Sequence, residues 1–192
     1  MNFSTILRLA GLCLTAAAWF GRHRDRAVAH RMASSADAAR QLMREGHGAF
    51  RRGDLKRAAA CYGAADRLVR MGNPDDPQLR MLPLYYAHVM FEKGDFRQAA
   101  RLVRSALDRL PELPRLRFRR QSFYDRAGDY ETRFAQLVGE ALATRDAELL
   151  FLLGYECFFN GRADEARKYF EAAIEGRPSD FRAGRFLQAL GG

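Results

Sequence analysis

Residues 150–178 read LFLLGYECFFNGRADEARKYFEAAIEGRP, and this stretch decides the fold. Its central glycine, Gly161, is followed five residues on by Ala166, four further by Phe170 and three further by Ala173. Apolar residues three or four positions apart lie on one face of an α-helix. Glycine in turn tolerates the backbone conformation of a tight turn after a helix. The stretch therefore predicts two helices joined by a turn at Gly161.

The same pattern occurs three more times upstream. Its glycines follow one another at intervals of 41, 34 and 33 residues, counted from 53 to 94, from 94 to 128 and from 128 to 161. Self-similarity at such a period predicts an array of helix–turn–helix units. The earlier copies read Gly53-Asp54, Ala58, Tyr62 and Ala65; then Gly94-Asp95, Ala99, Val103 and Ala106; then, less completely, Gly128-Asp129 and Leu137.

The apolar spacing predicts the individual helices of an all-α chain, because no stretch alternates with the period of a β-strand. Small residues at Gly46 and Ala58, and at Gly154 and Ala166, are expected to face each other where paired helices cross. The third unit is degenerate, with the long polar Arg133 at such a position. The predicted helices are 36–52 and 55–71 in the first unit, 147–159 and 164–175 in the fourth, and a last helix at 181–190 that covers the end of the stack through Phe181, Phe186, Leu187 and Leu190.

The fourth unit resembles the tetratricopeptide repeat. The resemblance covers residues 36–192 and extends to bacterial repeat proteins of unassigned function. It implies an α-solenoid of about four units, the third degenerate, with a C-terminal capping helix. It also implies a non-catalytic scaffold or adaptor that binds a peptide or partner protein. The matching residues are Leu150, Leu153, Gly154, Gly161, Ala166, Phe170, Ala173 and Pro178.

The resemblance further implies a concave groove lined mainly by the first helix of each unit. Met43, Leu84, Phe118 and Phe151 occupy equivalent positions and form an apolar stripe edged by arginines. Such a stripe suits a peptide with apolar anchors and acidic residues. Alternatively, the stripe is buried under the last helix or against the amino-terminal segment. The groove residues are Met43, His47, Arg51, Leu84, His88, Phe91, Phe118, Arg126, Phe151, Tyr155 and Phe159.

The chain is basic, with 32 lysines and arginines against 23 acidic residues and a formal charge of +9. All but three of the basic residues are arginines, which form forked contacts with carboxylates and phosphates. A patch interleaved with Phe118 and Phe123 makes single-stranded RNA an alternative ligand. Acidic neighbours compensate part of this charge, which disfavours nucleic acid. The basic patch consists of Arg115, Arg117, Arg119 and Arg120.

The sequence shows no catalytic constellation. It has neither a phosphate-binding glycine loop nor a zinc-binding helix with two histidines. His47 and His88 are expected near the groove, but they lack the paired carboxylates or the nucleophile that catalysis would need. We therefore expect no enzyme activity, no cofactor and no metal.

Residues 9–21 are uncharged, and Arg8 and Arg22 flank them. A membrane-spanning helix needs about twenty apolar residues, so 1–21 predicts a short anchor, a secretory signal or a misassigned start before Met32. We expect a cytoplasmic chain or, if 1–21 is an anchor, a cytoplasm-facing chain and a membrane-tethered assembly factor, because arginines follow the anchor; if 1–21 is a signal, the chain is exported. We expect a basic linker at 22–35 and the repeat domain at 36–192.

Overall fold

The computed structural model describes residues 34–71, 76–118 and 127–191. Within these ranges all regular secondary structure is helical and no strand occurs, which confirms the all-α prediction. The apolar segment predicted at 1–21 and nearly all of the linker predicted at 22–35 lie outside the described residues. Among the described helices, none has both the length and the apolar character required to cross a membrane.

Eight α-helices and one 3₁₀ turn are present in the described ranges. The helices predicted at 55–71 and 147–159 have those bounds in the structure, and those predicted at 164–175 and 181–190 differ by one residue at their ends. The elements are α1 at 34–51, α2 at Leu55–Met71, α3 at Leu82–Glu92, α4 at Phe96–Arg109, the 3₁₀ turn at Leu113–Arg115, α5 at Ala127–Thr144, α6 at Ala147–Phe159, α7 at Ala163–Gly176 and α8 at Phe181–Gly191.

Three of the four predicted turn glycines have the same backbone conformation. Gly53, Gly94 and Gly161 have φ angles of 75°, 76° and 79°, which lie in the left-handed region that glycine enters without steric cost. Asp54 and Asp95 each accept a hydrogen bond from the backbone N–H three residues further on, at 2.9 and 3.1 Å. Asp54 and Asp95 therefore cap the amino-terminal ends of α2 and α4.

The close crossing in the first and fourth units is a glycine against an aromatic ring. A Cβ on Gly46 would lie 2.7 Å from the ring of Tyr62, and a Cβ on Gly154 would lie 2.8 Å from the ring of Phe170. Each ring comes sixteen residues after its glycine, counted from 46 to 62 and from 154 to 170. The atoms closest to each glycine thus belong to the ring rather than to the predicted alanine. Because glycine has no side chain, the facing ring can pack directly against the helix backbone.

The third unit differs from the prediction. Gly128 lies inside α5 and does not form a turn between two helices. Residues 116–118, after the 3₁₀ turn, are not helical, so Phe118 does not lie on the first helix of a third pair. Helix α6 packs directly against α4, and α5 packs against α3 and α6. In the described residues, the pair α6–α7 therefore packs on the pair α3–α4 through the contact of α6 with α4.

A buried arginine joins three parts of the chain. Arg104 of α4 donates from Nε to Oδ2 of Asp180 at 2.6 Å and forms a second salt bridge with Glu148 of α6. Its guanidinium lies 4.0 Å from the centre of the Phe151 ring. Burial alone would raise the pKa of Asp180, but the hydrogen bond and charge of Arg104 outweigh it and lower that pKa. The start of α8 is thereby held against α4 and α6.

Helix α8 packs on α7 and buries one of its two phenylalanines. Phe186 is inaccessible to solvent and stacks on Phe170, with ring centres 4.8 Å apart and planes within 5°. The prediction that Phe181 also covers the stack is wrong, because 57% of this residue is exposed. The guanidinium of Arg182 lies 4.9 Å from its ring and also pairs with Asp108.

We expect Gly154→Ala to lower the free energy of unfolding by about 1–3 kcal/mol, because the new methyl group meets a ring that cannot move away. Phe170 is fully buried against Phe151 and Phe186. Urea unfolding followed by circular dichroism measures the effect. The matched control is Gly139→Ala, on a helix surface with no atom within 4 Å, which should be neutral or stabilising by up to about 1 kcal/mol. Equal losses in both variants would contradict the close crossing.

The lowered pKa of Asp180 predicts a specific loss of stability in acid. Because its folded-state pKa lies below the ordinary value of about 3.9, the unfolded chain binds more protons in this interval, and the free energy of unfolding falls as the pH drops through it. Asp180→Asn should lower stability at pH 7 and flatten this acid dependence. Asp164→Asn, at an exposed position on α7, should retain it. Parallel curves for wild type and Asp180→Asn between about pH 5 and pH 2 would contradict the prediction.

Candidate functional site

The predicted groove residues divide between the interior and the surface. Leu84, Phe91, Phe151 and Tyr155 are at most 1% exposed, so no partner reaches them in this structure. Phe151 is covered by Phe170 and Phe186, as in the alternative that buries the stripe under the last helix. The prediction that these four residues line an accessible groove is therefore corrected. Of the remaining positions, Phe159 and His88 are also buried, at 3% and 4% exposed, Met43 and Phe118 are half-buried, and Arg126 lies outside the described residues.

Residues of the predicted groove and of the predicted basic patch line one cavity of about 1260 Å³, here called the carboxy-terminal groove. The ring of Phe118 stacks on that of Phe159, with centres 4.1 Å apart and planes within 10°. Phe158 contacts Phe159 edge-on at 5.0 Å. The groove is lined by the segment before and after the 3₁₀ turn and by residues of α6 and α8, namely Pro111, Pro114, Phe118, Phe158, Phe159, Arg115, Arg117 and Arg185, with others.

The rim of the carboxy-terminal groove is basic. Arg115 and Arg117 are exposed, while Arg185 is half-buried and donates to the backbone carbonyl of Leu107 at 3.3 Å. Glu112 is the one carboxylate among the described residues that line it. Aromatic walls beside guanidinium groups can bury an apolar anchor and pair with acidic groups next to it. Arg119 and Arg120, also predicted for the basic patch, lie outside the described residues.

A second hollow, of about 540 Å³, lies between the first three helices and is here called the α1–α3 pocket. It brings together three predicted residues, His47, Arg51 and His88, from α1 and α3. Helix α2 contributes Tyr62, the ring that packs against Gly46. The pocket is lined by Arg44, His47, Phe50, Arg51, Tyr62, Tyr85 and His88.

His47 is held by two tyrosines. Its Nδ1 lies 2.7 Å from Oη of Tyr62, and the ring of Tyr85 stands perpendicular to it with centres 4.6 Å apart. Burial first, and the charge of Arg51 second, lower the pKa of His47 below its ordinary value. Burial also raises the pKa of Tyr62. Imidazole and phenol are therefore both uncharged at neutral pH.

The hydrogen bonds of the two histidines involve tyrosines. His88 Nε2 lies 3.4 Å from Oη of Tyr155, a longer contact than that of His47 with Tyr62 and one made by the other ring nitrogen. Burial raises the pKa of the Cys157 thiol to about 12, which keeps this sulfur protonated and unreactive. In the portions of the chain that the structure describes, no cluster of three histidine, cysteine or acidic side chains could hold a metal ion.

Sequence reasoning did not assign several side chains to these sites. Phe158 and Arg185 line the carboxy-terminal groove, and Tyr62 and Tyr85 line the α1–α3 pocket. Tyr62 carries a detectable signal, because a phenol occupies the position that is apolar in the other complete units. Nothing in the sequence marks Arg185 as a groove residue, because its position depends on how the last helix packs.

In comparisons with known proteins, no protein-family model matches this chain. No curated protein shows significant similarity to it either.

We expect the imidazole of His47 to titrate below the ordinary midpoint of about 6.5, because burial and Arg51 disfavour its charged form. Histidine proton shifts measured by NMR across pH 4–9 would give the midpoint. Arg51→Gln should raise it by removing the neighbouring positive charge. Arg52→Gln, the matched control on the adjacent exposed residue, should move it less. A midpoint at or above the ordinary value in the wild type would contradict the buried geometry.

Proposed function

We propose that this chain is a non-catalytic scaffold built as a tetratricopeptide-like array, which binds a partner protein through a peptide segment. Two repeated features support the array. Turn glycines 53, 94 and 161 share one conformation, and the glycine–aromatic crossing of the first unit recurs in the fourth. Arrays of paired helices present extended surfaces to partners, and their functions are mostly binding functions.

The observation that carries the binding proposal is the stack of Phe118 on Phe159 beside exposed arginines. Aromatic and arginine side chains dominate the binding energy of many protein interfaces. The partner segment carries an apolar or aromatic anchor for the phenylalanines and acidic residues for Arg115 and Arg117. A hollow of about 1260 Å³ accommodates several residues of a peptide.

For location, we propose a cytoplasm-facing protein that residues 1–21 tether to a membrane. The support is the uncharged run at 9–21 followed by arginines. Membrane fractionation of the full chain and of a form that begins at Met32 tests this tether separately from the groove. Equal distribution of both forms in the soluble fraction would contradict it.

The binding proposal is tested by selecting peptides from a displayed random library on the full chain. Selected peptides should be enriched in an aromatic residue flanked by aspartate or glutamate. Binding measured by fluorescence anisotropy should weaken about tenfold or more in Phe118→Ala, since a central aromatic anchor contributes at least about 1.4 kcal/mol. The double change Arg115→Gln and Arg117→Gln should weaken the binding of acidic peptides, and this effect should depend on the salt concentration.

The control is Phe181→Ala, an exposed aromatic residue outside the groove, which should leave affinity unchanged. Circular dichroism establishes that each variant is folded. Selection of no peptide, or equal binding by wild type and Phe118→Ala, would contradict the proposal. Salt-sensitive retention of single-stranded polyuridylate that the two arginine changes abolish, with no peptide selected, would replace it with RNA binding.

A further inference from the structure

The α1–α3 pocket is rich in hydrogen-bond donors. Two guanidinium groups, two imidazoles and two phenols line it, and none of the described lining residues is a carboxylate. Arg44 is exposed and bonds to Gln41 at 2.7 Å, while Arg51 has no hydrogen-bond or salt-bridge partner in the described ranges. A guanidinium carries five donors in a planar fork, so these side chains retain donors for a ligand. The ligand must therefore supply acceptors.

The bonded pair of His47 and Tyr62 contributes one further donor. The uncharged imidazole has one N–H and the uncharged phenol has one O–H, and a single proton lies between Nδ1 and Oη in their 2.7 Å contact. In either tautomer one proton remains, on Nε2 of the imidazole or on Oη of the phenol. The pair thus offers a donor whichever way its hydrogen bond runs.

Aromatic side chains form the rest of the wall. Phe50 and Tyr85 are half-buried, and the rings of Tyr62 and Tyr85 lie within 20° of parallel with centres 6.3 Å apart. Such surfaces favour a flat apolar body that packs against them. The volume of about 540 Å³ falls within the usual size of small-molecule sites, roughly 300–1,000 Å³. This size fits a ligand of one or two rings.

We infer that the α1–α3 pocket binds a small oxyanion carried on an aromatic ring, with the anion at Arg51 and at the His47–Tyr62 pair. The ring lies against Phe50 and Tyr85. This site is separate from the carboxy-terminal groove and shares none of its lining residues. Its occupancy does not depend on the proposed peptide binding.

Titration calorimetry of the full chain with four probes tests the inference. Benzoate and phenyl phosphate carry a ring and an anion, benzamide has the ring without the charge, and inorganic phosphate has the charge without the ring. We expect saturable binding of at least one ring-bearing anion in the micromolar to millimolar range, as suits ligands of so few atoms. Benzamide and inorganic phosphate should bind about tenfold more weakly or not at all. The ratio of benzoate to phenyl phosphate affinity distinguishes a carboxylate ligand from a phosphate ester.

Variants locate the site. Arg51→Gln should weaken binding of the anion about tenfold because it removes a charged donor, and Tyr62→Phe about fivefold because it removes the hydroxyl that is hydrogen-bonded to His47. Tyr62→Phe keeps the ring against Gly46, so the helix crossing is retained. Arg52→Gln makes the same charge change on the neighbouring exposed residue and should leave affinity within twofold of wild type.

Three outcomes would overturn the inference. The first is no saturable binding of either ring-bearing anion. The second is equal affinity for benzoate and benzamide. The third is an equal effect of Arg51→Gln and Arg52→Gln in variants that circular dichroism shows to be folded.

Discussion

The fit of an aromatic ring against a glycine on the facing helix is the contact on which both candidate sites depend. In the fourth unit, Gly154 admits the ring of Phe170, which stacks on Phe186. Phe186 in turn contacts Phe158 and Phe159, the aromatic wall of the carboxy-terminal groove. A side chain at position 154 would press against the first ring, and dense packing would transmit that strain to the others.

The first unit uses the same contact for a different result. Gly46 admits Tyr62, and a phenol in place of a phenylalanine ring carries a hydroxyl to His47. Tyr85 then closes the other side of the imidazole. A contact that serves only packing in the fourth unit therefore also orients polar groups in the first. One hydroxyl group separates an apolar core position from the wall of a pocket.

Electrostatic contacts hold the end of the chain in place. Arg104 is buried between Asp180 and Glu148, so its charge is compensated within the protein. Arg182 pairs with Asp108, and Arg177 with Glu148, nearer the surface. These pairs fix the direction in which α8 starts, and α8 places Arg185 beside the groove. Breaking a buried ion pair lowers the free energy of unfolding by more than a surface pair contributes to it, because an uncompensated charge remains inside the protein.

The sequence by itself determined the helices of the first and fourth units, because helix formation and termination depend on neighbouring residues. The apolar spacing of α6, the turn at Gly161 and the aspartate caps before α2 and α4 are local signals, and the structure has each of them. The all-α class follows from the same spacing. The Gly154 contact was foreseeable as a close approach, although its partner proved to be a ring.

Only the tertiary structure decided which apolar side chains a partner could reach. Phe151 and Phe118 hold equivalent positions in the repeat pattern, yet Phe151 is buried under α8 and Phe118 lies in a non-helical segment beside the groove. The difference arises because α6 packs directly on α4, where a regular array would place the first helix of a third pair. Burial depends on contacts between residues far apart in the chain, and helical periodicity shows which face of a helix is apolar but not which element covers it.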